Sequence, residues 1–343
     1  MLPLTERSSP NQTAILSHTE FLLYGFPGVS VSRSLLLIPF LSIYLVILAG
    51  NGLIMHRIWA EKTLHSPMYS LIFLLFAVNV SCTSAIVPKL LLGLAFGLNH
   101  ISLDGCLLQM FVIYLVVTFE SALVLLMALD RYVAICRPLH YHLVMTNNLL
   151  VLLTFVGLAR SVLLISPIVI LISRVPFCNS NVISSIACEN MALLSIGCGN
   201  ISRINLIGLL VRILVSIVDG SLLLVSYVII LSTALKAARG QAIHKALHTC
   251  CTHMLVAFLI YLCGLLTSVV YRLDASISVN VQNLVSAIYY LFPAAVNPVI
   301  YGLRVKEIRV CLKKTFRVKN TDHEVVSKRT IVRISRPGES PIN

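Results

Sequence analysis

The chain predicts an all-α membrane protein, a seven-transmembrane helix bundle. Hydrophobic residue types make up 58% of its 343 residues and charged types 11%, and the mean hydropathy is +0.93. A soluble domain carries about a quarter charged residues, so this chain cannot cover its own surface with polar groups. Lipid must solvate most of it. That excludes an ordinary cytosolic enzyme, a disordered protein and a collagen-like fibre. The apolar residues also come in long blocks, which is the pattern of spanning helices and not of barrel strands.

A spanning helix needs about 20 mostly apolar residues. Seven blocks meet this requirement: 34–56, 67–91, 106–129, 148–173, 204–233, 249–271 and 280–303. Well inside them lie four charged residues, Glu120, Arg160, Arg212 and Asp219. The connectors are short except for 174–203. One seven-helix domain, 34–303, follows an N-terminal tail, 1–33, and precedes a basic tail, 304–343. Residues 1–33 include Pro3, Glu6, Arg7, Pro10 and His18 and have no long apolar core. They do not read as a cleavable signal peptide, and the first span is expected to act as the insertion signal.

Orientation follows from Lys and Arg placement. The side holding the N-terminus carries Arg7, Arg33, Lys89, Arg174, Arg203 and Arg272. The other side carries Arg57, Lys62, Arg131, Arg137, Lys236, Arg239 and Lys245, with eleven more between Arg304 and Arg336. The C-terminus is therefore cytoplasmic and the N-terminus outside. The net charge of +13 is mainly this inside bias. A nucleic-acid footprint is the rival reading, but the basic residues flank spans and fit a bilayer surface better. No nucleic-acid partner is expected.

The Asn11-Gln12-Thr13 sequon falls on the outer side, so Asn11 is a candidate glycosylation site. Asn200-Ile201-Ser202 is also outside, close to the membrane, and Asn79-Val80-Ser81 lies within a span. Of ten cysteines, Cys106, Cys178, Cys188 and Cys198 lie on the outer, oxidising side. Four cysteines allow three pairings, and spacing alone does not choose among them. Zinc is the rival use of these four, but no outer His has ligand-like spacing to them.

The inner end of the third span reads Asp130-Arg131-Tyr132, closing on Cys136. An Asp-Arg pair at a boundary can be simple snorkelling. It belongs to an ordered set, however. Leu64-His65-Ser66-Pro67-Met68-Tyr69 opens the second span and Pro88-Lys89 closes it. Arg137-Pro138-Leu139-His140-Tyr141 follows the third. Ser226-Tyr227 lies late in the fifth, Lys245 to His253 opens the sixth, and Asn297-Pro298-Val299-Ile300-Tyr301 closes the seventh. The set resembles the odorant (olfactory) receptors, a branch of the rhodopsin-like G-protein-coupled receptors, over nearly the whole chain. Phe119-Glu120-Ser121, Pro176-Phe177-Cys178, Cys188-Glu189-Asn190-Met191, Asp219 and Val305 to Arg309 are similar to the class I, fish-like branch.

The resemblance implies bridges Cys106–Cys188 and Cys178–Cys198, holding the second outer loop as a lid. It implies a ligand pocket under that loop, touching Tyr114, Val117, Thr118, Asn190, Gly264 and Ser268. Arg272, at the outer end of the sixth span, is similar to a carboxylate anchor, because an Arg fork holds a carboxylate bidentately. A small fatty acid or similarly polar aliphatic odorant is the ligand class expected from it. At the inner side the resemblance implies that Asp130, Arg131 and Tyr132 couple to a heterotrimeric G protein of the stimulatory, olfactory class, raising cAMP. Tyr227 and Tyr301 match the switch tyrosines, Tyr261 stands where many related receptors have Trp, and Asn297 and Pro298 permit a local break in the seventh span. A short amphipathic helix is expected after that span. The expected location is the plasma membrane, in sensory cilia, with no cofactor.

One departure stands out. The family normally has Asp in the middle of the second span, where this chain has Asn79, while Glu120 is retained. A sodium site there is weakened or rests on Glu120 alone. Other functions fit less well. A transporter often shows inverted repeats and broken helix pairs, and none is visible. A membrane enzyme lacks support, with no His-Glu-x-x-His, nucleophile elbow or phosphate loop. An opsin needs a Lys in the seventh span, and 280–303 has none. An amine receptor needs an Asp where Ile113 stands. The runner-up is a non-olfactory rhodopsin-like receptor for a small metabolite such as a short-chain acid.

Overall fold

The computed structural model describes residues 17–27, 33–199, 201–237, 241–270 and 277–311. Seven long helices form the bundle: α1 (Arg33–Ala60), α2 (Pro67–Phe96), α3 (Leu103–Cys136), α5 (Asn147–Ser173), α7 (Ser202–Ala237), α8 (Gln241–Val270) and α9 (Val279–Arg304). Two short helices, α4 (Tyr141–Val144) and α6 (Asn190–Leu194), lie in the connectors. Six of the long helices are long and apolar enough to cross a membrane, and α8 carries the apolar stretch His253–Thr267.

Several helices outrun the apolar blocks. The blocks at 106–129 and 204–233 became α3 and α7, which run to Cys136 and Ala237. The hydrocarbon layer limits only the apolar part of a helix. Its hydrogen-bond ladder continues into water wherever the residues tolerate it. Caps mark other ends: Ser102 Oγ accepts from Gly105 N at 3.1 Å, and Thr146 Oγ1 accepts from Leu149 N at 3.2 Å.

Lipid faces carry Ile38, Val151, Phe155, Leu163, Ile217 and Leu224, all exposed. Between the helices the interior is apolar, with Leu71, Ile72, Leu75, Phe76, Leu123, Tyr301 and Ile308 in one inner cluster. Small residues set the closest approaches. A Cβ placed on Gly157 of α5 would meet Ala122 Cβ of α3 at 3.1 Å.

The outer end is closed by a small sheet of order β2-β1-β3, formed by β1 (Glu20–Leu23), β2 (His100–Ser102) and β3 (Val182–Ile183). Phe21 pairs antiparallel with Ile101, and Leu22 pairs parallel with Val182. Phe21 is fully buried, with its ring edge-on to Phe177 at 5.4 Å. The sequence reading had Glu20–Leu23 in the N-terminal tail and the other two strands in the outer connectors. Four residues of strand pattern are too short to stand out, and the partner strands are shorter still.

At the other end the chain breaks at Val305 and is helical again over 306–311. Val305, Ile308 and Cys311 are buried while Lys306 and Arg309 are exposed. This is the spacing of a short amphipathic helix.

Candidate functional site

A cavity of about 320 Å³ opens under the outer loop, among α3, α5, α7, α8 and α9. Its wall is mostly apolar, from Val117, Ile165, Ile168, Leu209, Ile260 and Leu265. Polar groups enter at a few points: Tyr114, Thr118, Glu189, Asn190, Arg212 and Tyr289. A concave, mostly apolar site with few polar anchors is the form of a small-molecule pocket.

The roof is held from α3. The structure joins Cys106 to Cys188 and, within the loop, Cys178 to Cys198. Gln109 reinforces the first tie: its Oε1 accepts from Cys188 N at 2.9 Å, and its Nε2 donates to Ala85 O at 2.7 Å. One turn deeper, Tyr114 Oη accepts from Asn190 N at 2.8 Å. Thr118 Oγ1 donates to Tyr114 O at 2.7 Å, so its own hydrogen is already used within α3.

The floor is a polar chain. Tyr261 Oη lies 2.8 Å from Ser121 Oγ, and Ser121 Oγ donates to Asp219 Oδ2 at 2.6 Å. A serine has one hydroxyl hydrogen, and a carboxylate only accepts, so Tyr261 must donate to Ser121. Arg160 completes the chain, with Nη1 donating to Asp219 Oδ1 at 2.8 Å and Nη2 to Oδ2 at 2.6 Å. Helices α3, α5, α7 and α8 are thus tied at one depth.

Beside the floor is a second, small cavity of about 20 Å³, lined by Asn79, Cys82, Glu120, Tyr289 and Tyr290 among others. That is little more than one water molecule. Glu120 Oε1 is buried there with no hydrogen-bond partner among the described residues. Asn79 donates to Asn51 Oδ1 at 3.2 Å, and Asn51 donates on to Ile47 O and Ala294 O. The lining offers a sodium ion one carboxylate, and no cluster of three acidic, His or Cys side chains occurs among the described residues. The donor set fits a resident cation poorly, and no step is assigned to one.

At the cytoplasmic end, Asp130 is fully buried and Arg131 bonds it through Nε at 2.9 Å and through Nη2. Tyr141, in the loop, donates to Asp130 Oδ1 at 2.7 Å. Burial and this bond to a carboxylate both hold the Tyr141 hydroxyl well above the usual phenol range. Tyr132 packs against the inner cluster. Tyr301 Oη lies 3.3 Å from His253 Nδ1 and its ring is edge-on to Phe76. Tyr227 is buried, and its hydroxyl has no partner among the described residues. The two switch tyrosines do not bond each other here. Asn297 is fully buried with both side-chain polar atoms unpaired among the described residues. Its neighbour Pro298 closes against Gly50, where a Cβ would lie 3.3 Å from the proline ring.

A family profile described as olfactory receptor matches residues 40–319. The chain belongs to the olfactory receptor family. Human olfactory receptor 52K1 is 36% identical over 300 residues, covering 88% of this chain and 96% of that protein. Human olfactory receptor 52D1 is 35% identical over 302 residues, 88% of this chain and 95% of the relative. Mouse olfactory receptor 51E2 is 36% identical over 304 residues, 88% and 94%. Relatives of the 51 and 52 groups bear out the class I resemblance. This olfactory receptor is a multi-pass protein of the plasma membrane, not an enzyme, and its partners are a small-molecule odorant and a G protein.

Of the pocket residues expected in this olfactory receptor, the structure gathers Tyr114, Val117, Thr118, Asn190 and Gly264 around one cavity. The Ser268 side chain, Arg272 and Asn11 lie outside the described residues. Among the polar wall residues, Arg212, Glu189 and Tyr289 were not expected in the pocket. Arg212 was noted only as an intramembrane charge and Glu189 only as part of a class I loop motif, while Tyr289 sat unremarked in a span. The usable signal was Arg212 itself, because an ionisable residue within a span is functional by default. The pairing of Arg160 with Asp219 was also missed, since 59 residues separate them and no periodicity links them.

Proposed function

We propose that this olfactory receptor binds a small volatile or water-soluble odorant in the 320 Å³ cavity and activates a stimulatory, olfactory-type G protein, raising cAMP. The observation that supports this reading is the chain Tyr261–Ser121–Asp219–Arg160 directly beneath the cavity. Tyr261 and Ser121 line the cavity and also belong to the chain. A ligand that presses on α8 at Tyr261 changes its bond to α3. A helix packing that exposes Arg131 to the G protein is then favoured by whatever the ligand binds better in that packing. Asp130 and Tyr141 hold Arg131 and the loop in the other packing.

The ligand contacts in this reading are Tyr114, Val117, Thr118, Asn190, Gly264, Ser268 and Arg272. The test is an odorant panel on cells expressing the tagged receptor with a cAMP reporter, beside Tyr261→Phe. The expected result is a ligand-driven cAMP rise that Tyr261→Phe weakens at equal surface level. Ligand responses through a different G-protein class, with no cAMP change, overturn the coupling. Full responses in Tyr261→Phe overturn the route through the floor.

A further inference from the structure

We propose that Arg212, in the outer third of α7, is the charge anchor of the cavity and that it selects ligands carrying a carboxylate. This rests on the cavity being the ligand site. It moves the anchor from the outer end of the sixth span to a position about 15 Å along α7 from Ser202, at 1.5 Å per residue.

Arg212 and Asp219 are seven residues apart, two turns, so they share one face of α7. Asp219 is fully occupied by Arg160 and Ser121. Glu120 lines the separate small cavity. Glu189 shares the cavity with Arg212, but no ion pair within 4 Å joins them. Among the described residues, Glu189 therefore acts on Arg212 only across the cavity, and no carboxylate bonds the guanidinium directly. A permanent cation in a low-dielectric interior is costly unless it is paired.

What holds Arg212 is weak and one-sided. Its Nη2 donates to Gly264 O at 2.7 Å, and its guanidinium sits 5.6 Å from the Tyr289 ring centre. A guanidinium has five N–H donors, and the described residues accept from one of them. The missing side chain of Gly264 is what lets the fork reach the α8 backbone, since a Cβ there would stand 3.3 Å from Nη2. The fork is thus positioned with donors left over, in a wall that is mostly apolar. A planar fork in that state matches a carboxylate bidentately. Ile165, Ile168, Leu209, Ile213 and Ile260 then line the space for an aliphatic chain.

The test uses butanoate, hexanoate and octanoate with the matching primary alcohols. Two readouts are taken on the full chain: the cAMP response, and ligand-induced thermal stabilisation of the detergent-purified receptor. Arg212→Gln is expected to raise the half-effective carboxylate concentration about tenfold to a hundredfold, the loss of one charge-assisted bond, while the alcohols keep their potency. Arg272→Gln is expected to weaken acids and alcohols alike, or neither. Where Arg212→Gln does not reach the surface, Gly264→Ala leaves the charge in place and crowds Nη2, and selective weakening of the acids is again expected. Stabilisation by acids without a cAMP response refutes the coupling proposed above and leaves the anchor standing. The anchor is overturned if no carboxylate stabilises the wild type. It is also overturned if the Arg212 and Gly264 variants lose acids and alcohols equally or not at all, or if the selective loss appears in Arg272→Gln instead.

Discussion

Arg160 grips Asp219 through two parallel hydrogen bonds of 2.8 and 2.6 Å, joining α5 to α7 within the bundle. The carboxylate is fully buried and the arginine is about one-third exposed. Two charges in that setting are tolerated because each satisfies the other. Removing one leaves an uncompensated charge, which costs about 3–5 kcal/mol for buried pairs. Arg160→Ala and Asp219→Ala are each expected to lower surface abundance sharply. The double variant is expected to recover part of it, and a thermal-shift cycle on the purified proteins checks this. Strictly additive losses would show that the two side chains act separately.

Signalling should depend on the inner pair. Arg131→Ala is expected to abolish ligand-driven cAMP while leaving surface expression near wild type, because Tyr141 still donates to the Asp130 carboxylate once the arginine is gone. Flow cytometry of an N-terminal tag beside the reporter measures both quantities. Full signalling at equal surface level would refute the coupling role.

The lid has its own test. Cys188→Ser is expected to block maturation, since the tie of the loop to α3 then falls to hydrogen bonds such as those of Gln109 and Tyr114. Loss of a native bridge costs about 2–5 kcal/mol in small secreted domains, which sets the scale. Normal surface levels and normal ligand response would show that the bridge is dispensable.

The strand at the outer face yields a fourth expectation. Phe21→Ala removes a fully buried ring that meets Phe177 edge-on and is expected to cost about 3–5 kcal/mol. Surface abundance should fall although Phe21 does not line the ligand cavity. Phe21→Leu should lose less. Equal abundance of all three proteins would mean that the sheet contributes little.

The seven spans were legible because a bilayer imposes a length on an apolar helix, and composition alone records that demand. The inner motif was legible because Asp130, Arg131 and Tyr132 are adjacent in the chain. Pocket residues on α3 were legible through the resemblance alone, since Tyr114, Val117 and Thr118 read as ordinary helix packing by type. What stayed hidden depends on distance in space. Arg212 meets Gly264 across 52 residues, and Ser121 meets Asp219 across 98. No spacing rule reaches that far. Glu20 to Leu23 gave too few residues for an alternation to be seen, and the partner strands are shorter still.

The order β2-β1-β3 has a consequence for biosynthesis. The central strand is made first, its antiparallel neighbour at His100–Ser102 follows, and the parallel neighbour at Val182–Ile183 emerges after more than half of the chain has been translated. Until then one edge of the earliest strand waits without its partner on the lumenal side, and an open strand edge is a template for wrong partners. The fifth helix in chain order has by then been threaded through the bilayer, so the sheet closes only around a bundle that already contains its first four spans. The small cap is therefore a record of assembly order, and a receptor stalled before Val182 carries that edge bare as the mark of an unfinished molecule.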